Sequence, residues 1–146
     1  MRIIGRLMGL DVGDARVGVA ISDELGITAQ PHSTLKRSSG DKSLLEQINR
    51  IVEELSIKKV VVGLPLGLDG SETEQTKKTR EFAQALEKSL LSDGLSIEVD
   101  FQDERLSSVE AERVLQDKKL KNSERRAAID RMAASILLRS YLESKL

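Results

Sequence analysis

The sequence predicts an α/β fold: a mixed five-stranded sheet with helices on both faces. Three observations carry this. Two apolar, β-branched runs, residues 6–11 and 16–22, flank the turn residues Gly13, Asp14 and Ala15, which is the pattern of an antiparallel hairpin. A later run, Lys59-Val60-Val61-Val62-Gly63-Leu64, is apolar without alternation, as suits a central parallel strand covered on both sides. From residue 41 onward, segments with helical period alternate with strand-like segments.

The elements follow in order. A third, weaker strand is expected near Ser33–Lys36. Ser38-Ser39-Gly40-Asp41 combines turn residues with a helix N-cap. The helix that follows carries Leu44, Leu45, Ile48, Ile51, Val52 and Leu55 at three- and four-residue steps. Pro65 ends the central strand, and residues 66–71 form a loop. A long helix is expected from about Glu72 to Leu91, burying Phe82, Ala83, Leu86 and Leu90, with Ser92-Asp93-Gly94 as its stop. Ile97, Val99 and Phe101 alternate as in a strand. A further helix is capped near Ser107 or Ser108 and buries Val109, Val114 and Leu115. The last helix, residues 123–144, has Ile129, Met132, Ala133, Ile136, Leu137 and Tyr141 as its inner stripe. The order βββ-α-β-α-β-α-α, with no repeat and no low-complexity linker, fits a single domain over residues 1–146.

Composition narrows the function classes. The formal net charge is −1, so only local patches could mark a nucleic-acid binder. With no cysteine, disulfides and thiolate metal sites are excluded, which accords with a cytoplasmic location. No signal peptide and no apolar stretch of spanning length is visible, so no membrane partner is expected. Phe82, Phe101 and Tyr141 are the only aromatics, which argues against recognition of single strands by base stacking. One histidine, His32, set beside Pro31, reads as a loop residue and leaves His-based triads without support.

Three acids fall where α/β sheets place their sites. Asp11 lies in the first strand, Glu104 just past the strand ending at Phe101 or Gln102, and Asp130 next to the core residue Ile129 of the last helix. A carboxylate in a strand core costs several kcal/mol unless compensated, and a cation is the economical compensation. Carboxylates from distant parts of the chain suit hard ions such as Mg²⁺ or Mn²⁺. Each acid also has a plainer reading: Asp11 as a turn residue, Glu104 as a helix-start acid pairing with Arg105, and Asp130 as a surface partner of Arg125, Arg126 or Arg131. Residues 118–126 hold five basic residues against Glu124 alone, either a solvated loop or a phosphate-contacting patch. Lys77, Lys78 and Arg80 form a second, weaker patch. The glycine-rich loop 63–70 lacks the Gly-Lys-Ser/Thr of a nucleotide-binding P-loop.

Four ordered segments together resemble one family. They are Gly9-Leu10-Asp11-Val12-Gly13 continuing to Arg16-Val17-Gly18-Val19-Ala20-Ile21-Ser22-Asp23; Val62-Gly63-Leu64-Pro65-Leu66 with Asp69-Gly70; Asp103-Glu104-Arg105-Leu106-Ser107-Ser108; and Ile129-Asp130-Arg131-Met132-Ala133-Ala134. This pattern resembles the YqgF/RuvX family, the group of pre-16S rRNA nucleases and Holliday junction resolvases, over nearly the whole chain. The resemblance implies an RNase H-like fold and an acidic triad of Asp11, Glu104 and Asp130, catalytic and metal-holding at once. The chain departs from the family pattern at Asp14, often a small hydroxyl residue, and at Ala15, usually a lysine. The lysine-rich run before the last acid is reduced to Lys118, Lys119 and Lys121, then Arg125 and Arg126.

The expected activity is metal-dependent phosphodiester hydrolysis. One or two Mg²⁺ or Mn²⁺ ions would activate a water and stabilise the leaving 3′ oxygen. Arg16, Arg105, Lys118, Lys119, Lys121, Arg125 and Arg126 are the candidate phosphate contacts. The resemblance favours 5′-end maturation of pre-16S rRNA, with possible association with a ribosomal subunit. Resolution of branched DNA is the alternative from the same chemistry and would ask for a two-fold dimer, whereas the first role allows a monomer or a homodimer. Two other classes remain: a non-catalytic nucleic-acid-binding or transcription-associated factor, and an actin/Hsp70-like ATPase, for which the chain lacks a second domain and a second phosphate hairpin.

Overall fold

The computed structural model describes residues 5–38, 40–104, 111, 113 and 122–145. The order of elements is β1 (Leu7–Val12), β2 (Arg16–Ser22), β3 (Ala29–Lys36), α1 (Asp41–Glu54), β4 (Lys59–Leu64), α2 (Glu74–Ser92), β5 (Glu98–Asp103) and α3 (Asn122–Ser144). The strands form one sheet in the order β3-β2-β1-β4-β5. β1 pairs antiparallel with β2, and β2 with β3; β1 and β4, and β4 and β5, run parallel. This is the mixed sheet expected from the hairpin followed by alternating strands and helices.

Strand alternation splits the core in two. Met8, Leu10, Val12, Val17, Val19, Val60 and Val62 pack against Leu44, Ile48, Val52, Phe82, Leu86 and Leu90 of α1 and α2. Leu7, Ala20 and Val61 face the opposite way, onto Ala134, Leu137, Leu138, Tyr141 and Leu142 of α3. β4 contributes to both clusters, which is why its sequence shows no polar alternation.

Several elements differ from expectation. β1 covers residues 7–12 rather than 6–11. β3 begins at Ala29, four residues early, and takes in Pro31 and His32. It is an edge strand, where a missing proline N–H costs little. The register runs from Val19↔Ser33 to Ala20↔Pro31, so His32 is the extra residue of a bulge and not a loop residue. It is exposed, and its ring bonds Ser33.

α2 starts at Glu74, not 72, because Thr73 and Thr76 close a reciprocal capping box. The Thr73 N–H donates to the Thr76 hydroxyl at 2.9 Å, and the Thr76 N–H donates to the Thr73 hydroxyl at 3.3 Å. The fully buried Thr76 hydroxyl also donates to the Pro65 carbonyl, tying the β4–α2 loop to the helix start. Thr76→Val, similar in volume, should lose about 2 kcal/mol of stability, against about 1 for Thr73→Ala, read as shifts in the denaturation midpoint.

α3 is apolar on two flanks. Its sheet-facing row is Ala134, Leu137, Leu138, Tyr141 and Leu142, whereas Ala133 and Ile136, with Ile129 and Met132, pack on the helical residue Ala111. The single stripe expected from sequence mixed the two flanks. Apart from Ala111 and Arg113, both helical, the helix expected around Ser107–Leu115 lies outside the described residues.

Candidate active site

The parallel strands β1, β4 and β5 end at one edge of the sheet, and Asp11 and Glu104 both lie at that edge. Asp11 points to the α3 face, on the same side as Leu7. The Glu104 N–H donates to the Leu64 carbonyl at 3.2 Å, which brings Glu104 back over the end of β4.

Two glycines make room for the acids. Gly18 on β2 is the register partner of Asp11. A Cβ on Gly18 would lie 2.0 Å from the backbone oxygen of Asp130, so α3 rests on bare backbone beside Asp11. Gly63, near the end of β4, plays the same part for Glu104: a Cβ there would lie 2.6 Å from Glu104 Oε2 and 2.8 Å from Leu137 Cδ2. The cluster is thus set by two absent side chains on the strands flanking β1. Both glycines appeared in the motifs read from sequence, but only as motif members; the sign of their role is a glycine inside a strand, which marks a close approach.

The structure brings Asp11 and Glu104 into hydrogen-bond contact. Burial is the main cause that pushes the Glu104 carboxyl up, to about 10; its bond to Asp11 and the negative charges of Asp11 and Asp103 push the same way. Burial also raises Asp11, as does the charge of Asp130, while the bond from Glu104 opposes the rise. The pair therefore keeps a proton, with Glu104 as donor and Asp11 as acceptor. Two desolvated carboxylates that must share a proton are a donor set in need of positive charge, and oxygen-only ligands suit a hard divalent cation.

Asp130 reaches the same neighbourhood by its backbone, but its side chain is engaged elsewhere. Arg16 Nε donates to Asp130 Oδ2 at 2.6 Å, with both side chains half-buried. Among the described residues no three His, Cys, Asp or Glu side chains are gathered as a metal cluster. Asp14 is exposed and accepts a long, 3.5 Å bond from Gln75, so it adds no fourth carboxylate to the pair.

The basic candidates divide. Arg125 is half-buried and Arg126 exposed, at the start of α3. Arg105, Lys118, Lys119 and Lys121 lie outside the described residues. Lys77 and Lys78 are exposed, and Arg80 pairs with Glu72 and covers the Phe101 ring. The N-terminal half of α3 is held on the sheet edge by Thr34, which donates to the Ala127 carbonyl at 2.6 Å and accepts from Arg131 at 3.4 Å.

The proton on Glu104 has a measurable consequence. Its folded-state value lies above the ordinary 4.5. Its contribution to stability is therefore fully present below about pH 4.5 and lost as pH rises toward about 10. In chelator, the unfolding free energy should fall from about pH 5 to about pH 9. Glu104→Gln, which keeps a donor for Asp11 and cannot ionise, should flatten that slope in denaturant titrations at several pH values.

The fold is similar to that of RuvC from Thermus thermophilus in a complex with a Holliday junction substrate. The TM-score is 0.55 at 12% identity, over 96% of this chain and 95% of that one. The sheet is RNase H-like, with carboxylates at the ends of its first and last strands. A family model described as "RuvX: Holliday junction resolvase" matches residues 5–144. A relative from Syntrophomonas wolfei, named "Putative pre-16S rRNA nuclease", is 44% identical over 138 residues, covering 94% of each chain. One of the same name from Clostridioides difficile is 42% identical over 142 residues, covering 97% of this chain and 96% of its own. The chain belongs to the RuvX family.

Proposed function

We propose that this chain is a divalent-metal-dependent endonuclease, one catalytic domain over residues 1–146, that cleaves structured RNA in maturing the 5′ end of pre-16S rRNA. The observation that carries the reading is the proton-sharing pair Asp11–Glu104, buried at the strand ends beside Asp130. Asp11, Glu104 and Asp130 are the residues that would hold Mg²⁺ or Mn²⁺, as one or two ions. The bound metal supplies an activated water and stabilises charge on the leaving 3′ oxygen.

The chain's own residues do the rest. Asp11 and Glu104, fixed on backbone by β1 and by the Leu64 carbonyl, give the site a rigid floor. Glu104 must give up its proton for both carboxylates to serve as ligands, which ties activity to metal concentration and pH. Arg16, Arg125 and Arg126, with Arg105, Lys118, Lys119 and Lys121, would neutralise backbone phosphates without reading bases. The scarcity of aromatics supports recognition of shape. A cytoplasmic location accords with these substrates. Among the described residues no helix is long and apolar enough to cross a membrane. Association with a ribosomal subunit, and action as a monomer or homodimer, belong to the same reading.

Resolution of branched DNA is the second reading, favoured by the description of the matching family model. Cleavage of a labelled pre-16S rRNA 5′ fragment and of a four-way DNA junction, each with Mg²⁺, Mn²⁺ or chelator, separates the two. Metal-dependent cutting of the RNA alone supports the first, and of the junction alone the second. Inertness on both, with tight binding retained, would leave a non-catalytic binding factor.

A further inference from the structure

Asp130 has its backbone against Gly18, beside Asp11, and its carboxylate bonded to Arg16. Its carbonyl occupies the space above Gly18, the register partner of Asp11, so its backbone already lies beside the acidic pair. What engages the carboxylate is Arg16, the first residue of β2, through a single 2.6 Å bond from Nε to Oδ2. That bond uses one of the five N–H groups of the guanidinium. The two Nη groups take no other partner among the described residues, and the Arg16 side chain is 31% exposed.

We propose that Arg16 is a built-in counter-ion that holds Asp130 out of the carboxylate cluster until a substrate phosphate draws the guanidinium away. Arg16 is then a positioning residue, which acts on the site through Asp130. In the free protein the metal competes with Arg16 for Asp130. When a strand binds, its phosphodiester offers the exposed Nη edge a bidentate partner. Asp130 is released by a change of rotamer alone and completes the metal ligands. Substrate and metal therefore bind with positive coupling, and by linkage each tightens the other equally. The inference rests on the proposed carboxylate site, and its test separates the two.

The measurement is Mn²⁺ binding by calorimetry to the whole chain, without nucleic acid, for wild type, Arg16→Gln, Arg131→Gln and Asp11→Asn. Arg131 lies next to Asp130 on α3 but bonds Thr34, so its loss removes the same charge without freeing the carboxylate. Arg16→Gln should bind Mn²⁺ about tenfold more tightly, and Arg131→Gln no more than about threefold, the part due to charge alone. Arg16→Lys, which keeps the charge and loses the Nε bond, should fall between them and serves if the glutamine variant folds poorly. An uncleaved phosphorothioate oligonucleotide should tighten Mn²⁺ binding to wild type several-fold, about fivefold, and leave Arg16→Gln unchanged. Loss of Mn²⁺ binding in Asp11→Asn, with Arg16→Gln no tighter than Arg131→Gln, would overturn this inference alone. Undiminished binding in Asp11→Asn would overturn the carboxylate site and this inference with it.

Discussion

Replacing Asp11 with Asn is expected to abolish cleavage while making the metal-free protein more stable. The two effects have one cause. Asp11 is a desolvated carboxylate beside Asp130, held by a proton borrowed from Glu104. Asparagine keeps the volume and can still accept from Glu104, but it carries no charge to bury. The unfolding free energy in chelator should rise by about 1 kcal/mol. The rate should fall by at least about 10³-fold, on the order of 4 kcal/mol of transition-state stabilisation, because the proposed metal site would lose one of its carboxylates. Glu104→Gln should show the same pair of signs. Stability gained as activity is lost is the mark of a site strained for function, and a simple turn or salt-bridge role predicts the reverse. The check is a matched pair of chemical denaturation curves and single-turnover cleavage assays. If Asp11→Asn loses stability in chelator, the buried charge is being compensated by the fold itself.

The large features of this fold were legible because each has a periodic or covalent cause. The strand β4 declared itself by an unbroken apolar run, since its residues enter both cores. The position of Asp11 was legible as a charge where a charge costs energy. The start of β3 was hidden because Pro31 reads as a loop residue, and only the edge position and the bulge at His32 make it tolerable in a strand. The phase of α3 was hidden because the helix is apolar on two flanks, so several stripes satisfy the same spacing. That error concealed something useful. Asp130, placed from sequence only as the neighbour of Ile129, is in line with the sheet-facing row, since Ala134 and Leu138 follow at four-residue steps on that face. The bond from Arg16 could not be read at all, because it joins residues 114 positions apart through a contact of α3 with β2. Arg16 and Asp130 each carried a motif role in the sequence, and neither motif says that one restrains the other.

Gly18→Ala should be the most damaging single methyl group that can be added on this face of the sheet. Most overpacked cores relax by moving a side chain. Here the added carbon would lie 2.0 Å from the Asp130 carbonyl oxygen and 2.4 Å from its carbonyl carbon, so backbone must move. The cost should be at least about 3 kcal/mol, a fall of roughly 10 °C in the melting temperature for a domain of this size. Gly63→Ala gives the instructive contrast. Its added carbon meets the Glu104 carboxylate and a Leu137 methyl, both side-chain atoms that can yield. It should cost only about 1–2 kcal/mol in stability yet still remove most of the activity, because it is Glu104 that gives way. The two alanines thus separate the framework from the chemistry. In Gly18→Ala, activity should fall together with folding, and cooling should restore folding without restoring the rate, since Asp130 stays displaced from Asp11. In Gly63→Ala the protein should melt near the wild-type temperature and cleave slowly. Ala20, two residues along β2 on the same face and fully buried, already accommodates a Cβ beneath α3. The intolerance expected at Gly18 therefore belongs to the crossing point beside Asp11. If Gly18→Ala melted and cleaved like wild type, α3 would not be seated on β2 at Asp130, and the placement of the third acid would fall with it.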